Sequence, residues 1–323
     1  MRPFLFFILI FLFFVYIFFL SSKINAPLTY DELNWPSSAQ SLLKDKKSIN
    51  LLGKIGAPSP ALYINIQTLI YKIFGVSNYT FRLIGVICIF IQLFVIFIAS
   101  NILFKNTDKT KFFIITTLFF ITNPMVIRGS LLPFDETTFL PLFLSIFSIF
   151  FILFEERQKI RYILFLIFIF FLSLWSKLSA LFFIVNMFIY YIIKRDKKGI
   201  YISFLVFIVG FLLFLISWGL YCLVNKDFSF FDPFKYPISA FFIFKSKFSF
   251  INLITSIIRF ILWFGFYSVL LWFLILIIRL KNFIKKGTVE SIDFLTIYSI
   301  FFGIGHFFIG GSSFGFPKYH YPI

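Results

Sequence analysis

Cysteine and histidine are nearly absent, two of each in 323 residues. Cys88 and Cys222 both lie inside apolar runs, where a free thiol behaves as a small hydrophobe. This excludes a disulfide framework, and no Cys/His spacing suits a structural metal. His306 also lies in an apolar run and reads as a packed histidine. Charge is scarce as well, at 13% of residues against 60% apolar, where a soluble domain carries about a quarter charged residues. No soluble fold could hide that much apolar surface. P-loop, G-x-S-x-G, H-E-x-x-H and dinucleotide fingerprints are missing, which removes nucleotide hydrolysis and standard hydrolase chemistry. Neither a tandem repeat nor a matching pair of broken helices, the trace of a repeat-built transporter, is visible.

The charge that is present is unbalanced, with a formal net value of +17. The cations fall in short clusters between apolar runs. That placement is a topology signal and lacks the basic stripe of a nucleic-acid surface. Apolar runs long enough to span a bilayer, or nearly so, cover 3–20, 80–104, 112–127, 137–154, 162–176, 178–193, 200–224, 253–278 and 290–310. The first exceeds the apolar length of a signal peptide and has no small-residue cleavage site after it, so it is expected to remain as a span. The sequence thus predicts an all-α, polytopic helical membrane protein of about nine spans in a single domain, 1–323. An outer loop at 21–79 carries juxtamembrane helices, and a second outer loop lies at 225–252.

The segments 105–111, 155–161, 194–198 and 279–286 hold 14 Lys and Arg among 27 residues, whereas 21–78 and 225–252 hold ten among 86. The dense clusters are expected on the cytoplasmic side of the inner membrane. Both flanks of 162–193 are then cytoplasmic, which makes this stretch a hairpin of two short helices with its tip at Ser176-Lys177 on the outer side. In the first outer loop, Pro36 is expected in the first turn of a short helix ending near Leu43. Ser59-Pro60 reads as an N-cap and first helical position. Leu62, Ile66, Leu69, Ile70 and Ile73 then form an apolar stripe at helical spacing, closed by Gly75. Such a helix would lie on the outer membrane surface.

Charges at the rim of apolar spans are costly, so each calls for an explanation. On the outer side these are Asp31, Glu32, Arg82, Arg128, Asp135, Glu136, Lys177, Arg259, Lys318 and His320. Carboxylates at a membrane surface suit general-base work or a grip on polar substrate groups, although Asp31 can equally be a solvated loop acid and Asp135 a helix cap. Lys and Arg at the same level suit a phosphate, Arg by a bidentate contact and Lys as a point charge, or they simply snorkel to the headgroups.

Several stretches together resemble the GT-C type membrane glycosyltransferases that use polyprenyl-phosphate sugars. Their relatives include protein O-mannosyltransferases and the lipid A aminoarabinose transferase. Thr29-Tyr30-Asp31-Glu32 resembles the acidic motif of the family's first outer loop. Pro58-Ser59-Pro60-Ala61-Leu62-Tyr63, then Ile73-Phe74-Gly75-Val76-Ser77 and Arg82, is similar to its entry into the second span. Asp135 falls where a second acid is usual, Leu174-Trp175-Ser176-Lys177 looks like its Lys after a short span, and Phe316-Pro317-Lys318-Tyr319-His320-Tyr321-Pro322 is similar to its late basic-Tyr loop. Ala57 stands where relatives often have His, and the chain is expected to lack the family's C-terminal spans or soluble domain.

What the resemblance implies is an inverting glycosyltransferase. It would move a sugar from a polyprenyl-phosphate donor to a glycan, lipid A-like or protein acceptor on the periplasmic face of a bacterial inner membrane. Asp31 would be the general base, with Glu32 and Asp135 orienting substrate. Lys177, Arg82 and Lys318 would hold the donor phosphate, and Tyr319, His320 and Arg259 are secondary candidates. No cofactor is required, although carboxylate oxygens of Asp31 and Asp135 suit a bridging divalent metal. Two rival readings are a transporter or flippase for a lipid-linked or anionic solute, and a non-catalytic fragment.

Overall fold

The computed structural model describes residues 14, 16, 30–45, 61–103, 108–122, 126, 131, 138–226, 228–235, 254, 258, 277–283 and 289–300. Eight longer helices can be followed in order: α1 (Tyr30–Asp45), α2 (Leu62–Phe74), α3 (Asn78–Leu103), α4 (Asp108–Thr122), α5 (Phe139–Arg157), α6 (Ile160–Ser176), α7 (Leu181–Lys194) and α8 (Lys197–Val224). No strand occurs among the described residues. Three of the helices, α3, α5 and α8, are long and apolar enough to cross a membrane. The 28 residues of α8 give a rod of about 42 Å, longer than a hydrocarbon core of about 30 Å. The predicted spans 3–20 and 253–278 lie almost wholly outside the described residues.

Two compact units divide the chain, Met1–Ile55 with Tyr63–Ser145, and Gly56–Leu62 with Ile146–Ile323. In the first unit, α1 starts earlier than the sequence predicts. Pro36 sits inside the helix, six residues after Tyr30. Proline there removes one backbone hydrogen bond and its ring crowds the carbonyl one turn back, yet the helix continues on either side. On α1, Ala39 is fully buried and its carbonyl accepts from Thr68 Oγ1 of α2 at 3.3 Å.

The stripe predicted on α2 is split between two faces. Leu69 and Ile73 are exposed, while Tyr63, Ile64, Gln67, Ile70 and Tyr71 form the buried face. The helix therefore has apolar residues on both sides, one packed on protein and one open to its surroundings, as a juxtamembrane helix requires. Gly75 ends it with φ +79° and donates its N–H to the Tyr71 carbonyl at 3.0 Å, the left-handed cap that glycine adopts without strain. Two residues on, Ser77 caps α3 in a reciprocal box. Ser77 Oγ accepts from Thr80 N–H at 3.1 Å, and Thr80 Oγ1 accepts from Ser77 N–H at 3.0 Å. α3 and α4 pack through an edge contact of Phe97 on Phe113 with ring centroids 5.4 Å apart.

In the second unit, the contacts fix the directions of the helices. Phe147 meets Phe183, and Phe151 meets Tyr190 and Tyr191, so α5 and α7 run parallel. Phe170 meets Gly210 and Trp175 meets Ser217, so α6 and α8 are parallel too. Phe188 meets Phe204, and Tyr191 meets Gly199, which makes α7 antiparallel to α8 and hence to α6. The chain therefore reverses at Lys177, between α6 and a 3-10 turn at Leu178–Ala180.

At the opposite end, Arg195 (φ +58°) and Asp196 close α7 with a Schellman pair, Asp196 N–H to Tyr191 O at 3.0 Å and Arg195 N–H to Ile192 O at 3.1 Å. Asp196 then caps α8 by accepting from Gly199 N–H at 3.1 Å. Two residues thus serve as stop and start. A helix over 293–300 completes the core. Phe294 stacks on Phe151 at 4.3 Å, and the Phe294 carbonyl accepts from Asn186 Nδ2 at 2.7 Å.

Candidate functional site

Arg82, in the second turn of α3, is 3% exposed. A guanidinium is almost never buried without partners. Here Nε donates to the Leu131 carbonyl at 2.9 Å, which ties Leu131 to the start of α3. Beside it, Gln67 of α2 is fully buried and donates from Nε2 to the Thr80 carbonyl at 3.2 Å, and Tyr63 donates to Gln67 Oε1 at 3.4 Å. The entry to α3 is therefore cross-tied by the cap box, by Gln67 and by Arg82. Burial pushes the Tyr71 phenol up, against a smaller opposing effect of its bond to Gln67, so this residue stays a neutral group of the packed face.

Asp31 and Glu32 fall in the first turn of α1, where the positive end of the helix dipole favours a carboxylate. The sequence predicts a helix start at about Pro36, after both acids. The helical start puts both residues on a regular element.

Lys177 is half-buried and holds an extended backbone, φ −159° and ψ 140°, between α6 and the 3-10 turn. Its N–H donates to Ser173 O at 2.9 Å and its carbonyl accepts from Ala180 N–H at 3.0 Å, so both ends of the reversal are fixed. Trp175 Nε1 donates to Ser217 Oγ at 2.9 Å. Trp175 also lies edge-on to Trp218, Tyr221 and Phe214. Trp218 in turn donates to the Phe230 carbonyl at 3.1 Å, bringing the segment after α8 over its last turns. This aromatic group holds the Lys177 reversal against α8.

Ser176 is fully buried, and among the described residues its hydroxyl and that of Ser179 have no hydrogen-bond partner. Sequence reasoning gives neither a role. The one available signal is a serine on each side of a rim lysine within an apolar stretch.

Arg82 belongs to the first unit and Lys177 to the second. Asp135, Arg259, Lys318, Tyr319 and His320, with Arg128, Glu136 and His306, lie outside the described residues, as does the Ser59-Pro60 cap. Among the described residues, no three His, Cys, Asp or Glu side chains gather as a metal site.

The fold is that of a known membrane class. Two crystal structures of ArnT from Cupriavidus metallidurans match it over nearly the whole chain. The structure with bound undecaprenyl phosphate has a TM-score of 0.67 at 14% identity, covering 99% of this chain and 57% of that one. The apo structure gives 0.69 at 13% identity, covering 98% and 56%. At such identity the likeness is one of fold, and this chain spans little more than half the length of those relatives. No curated protein matches the sequence significantly. Residues 59–218 match the family described as dolichyl-phosphate-mannose-protein mannosyltransferase. The chain thus has the fold of ArnT, and the matched segment, just under half of it, is similar to that mannosyltransferase family.

Proposed function

We propose that the protein transfers a sugar from a polyprenyl phosphate to an acceptor hydroxyl on the outer face of the cytoplasmic membrane, with inversion at the anomeric carbon. The observation that carries this reading is the ArnT-like fold over 99% of the chain, in a relative crystallised with undecaprenyl phosphate. In the proposed reaction Asp31 takes the acceptor proton as the oxygen attacks the anomeric carbon. The anomeric bond to the phosphate oxygen breaks, and its electron pair leaves with the polyprenyl phosphate. Negative charge therefore develops on a phosphate close to the lipid, where pre-placed cations are most effective. Lys177, Arg82 and Lys318 are assigned that role. Glu32 and Asp135 would orient sugar and acceptor, and Tyr319, His320 and Arg259 would support the phosphate side. No metal is needed for this displacement.

The test compares cells carrying the native gene with cells carrying Asp31→Asn, by mass spectrometry of polyprenyl-phosphate sugars and surface glycans. Accumulation of one lipid-linked sugar, with loss of that sugar from one glycan or protein, is expected and would name both substrates. Unchanged lipids and glycans, with the variant present in the membrane, would remove Asp31 as the base.

A further inference from the structure

A buried hydroxyl without a partner costs about 1–3 kcal/mol, so such groups are rare and each calls for an explanation. In apolar helices serine normally escapes this cost by donating to a carbonyl of the preceding turn. Ser173 does so to Phe170 O at 2.7 Å, Ser203 to Gly199 O at 2.9 Å, and Ser100 to Ile96 O at 2.7 Å. Ser176 and Ser179 do not, and their oxygens are buried without a bond. They flank Lys177, where the chain leaves α6 and enters the 3-10 turn.

The reversal is also recessed. Trp175 bonds to Ser217, yet α8 continues to Val224, seven residues or about 10 Å farther along the axis. The segment at 228–230 covers the continuation, with Phe228 against Trp218 and the Phe230 carbonyl on Trp218 Nε1. A lysine and two buried serine hydroxyls without a partner therefore share one four-residue reversal, short of the end of the longest described helix and beside an aromatic cluster. The ligand that suits them is anionic, has several acceptor oxygens, and reaches this depth from within the membrane.

We infer that Ser176 and Ser179 are phosphate-binding residues. Their hydroxyls would donate to the phosphate oxygens of a polyprenyl phosphate whose charge Lys177 neutralises. This deepens the donor-site reading proposed above and rests on it. Lysine supplies a point charge with no preferred direction, whereas two hydroxyls fixed on a rigid reversal supply orientation.

The experiment titrates undecaprenyl phosphate, undecaprenol and inorganic phosphate into the full chain in phosphatidylglycerol–phosphatidylcholine nanodiscs, following tryptophan fluorescence. It uses wild type, Lys177→Met and the double variant Ser176→Ala/Ser179→Ala, and unfolding midpoints are measured without ligand. Expected is about tenfold or greater loss of undecaprenyl phosphate affinity in the double variant, the effect of losing a hydrogen bond to a charged group. Undecaprenol should not discriminate the variants, and the ligand-free midpoint should be unchanged or higher. Wild-type affinity in the double variant, with affinity lost in Lys177→Met, would overturn the serine assignment and leave the donor site standing. Failure of wild type and variants alike to prefer undecaprenyl phosphate over undecaprenol would overturn the donor-site reading itself. Serine-dependent binding of inorganic phosphate alone would support a phosphate site but overturn the lipid-borne source. A clear drop of the ligand-free midpoint in the double variant would show that the hydroxyls hold a structural partner, and would overturn the inference.

Discussion

Glu155→Ala is expected to be among the most damaging single substitutions in the second unit. The carboxylate lies in the last turn of α5 and its side chain is only 4% exposed. It accepts from Tyr190 Oη at 3.0 Å and from Tyr191 Oη at 2.7 Å, and it pairs with Lys194 Nζ. Tyr190 and Tyr191 are 1% and 0% exposed, so alanine strands two phenol hydroxyls away from water. At about 1–3 kcal/mol for each stranded group, the cost is about 2–6 kcal/mol. Lys194 is 36% exposed and can turn to solvent, so it adds little. Breaking a buried pair by removing one partner typically costs about 3–5 kcal/mol, which falls within that range.

Glu155→Gln should lie in between, because the amide oxygen can still serve one phenol. The assay is thermal unfolding of the purified protein in nanodiscs, where about 2–4 °C accompanies each kcal/mol for a domain of 150–250 residues. A double-mutant cycle with Tyr191→Phe isolates the pair, and the two changes together should cost clearly less than their sum. An unfolding midpoint for Glu155→Ala within a degree of wild type would refute the reasoning, since it would mean that the phenols find other partners at no cost.

Two further substitutions test the geometry. A Cβ on Gly199 would clash with the Tyr191 ring, which is tethered to Glu155, so Gly199→Ala should destabilise by about 1–3 kcal/mol; in a Tyr191→Ala background, itself destabilised, the same change should add little further loss in the same unfolding assay. Thr80→Val removes the hydroxyl that accepts from Ser77 N–H and donates to the Gly75 carbonyl at 2.8 Å. A loss near 1 kcal/mol is expected, with faster hydrogen exchange confined to the amides around 77–80.

The helices were legible in the sequence because apolar length and cation clusters are coarse signals that tolerate local error. Their ends were less so. Hydropathy reports where a membrane starts, and a helix does not stop there. The predicted span 112–127 is helical from Asp108, through polar residues that sit easily in a first turn. The span 137–154 continues as helix to Arg157, which places Glu155 in its last turn. Pro36 misled for a related reason. Its preference for a first turn suggested a helix start, whereas α1 already runs from Tyr30 and carries Asp31. On α2 the helical period was legible, but periodicity cannot say which apolar residues pack on protein: of the predicted stripe Ile70 is buried, while Leu69 and Ile73 are exposed. Lys177 was found because the basic flanks of 162–193 demand a reversal. Ser176 and Ser179 were not, because nothing in a sequence distinguishes a serine that bonds back to its own helix from one that cannot.

The two ends of the α5–α8 group treat buried oxygen in opposite ways. At the Glu155 end, two phenols, an ammonium and a carboxylate satisfy one another, and the Schellman pair and the Asp196 cap use up the backbone groups between α7 and α8. Such a closed set rigidifies its surroundings and has nothing left to offer a ligand. At the Lys177 end, two hydroxyls are buried and unspent. The same chemical change, deletion of a buried oxygen, should therefore have opposite signs at the two ends. Glu155→Ala removes acceptors that others depend on and lowers stability. Ser176→Ala removes a donor with no partner, which is neutral or stabilising without ligand and costs affinity once a ligand is present. Natural sequences keep a locally unfavourable group where function needs it and compensate elsewhere, and a fully satisfied anchor at the far end of the same helices is where that compensation lies.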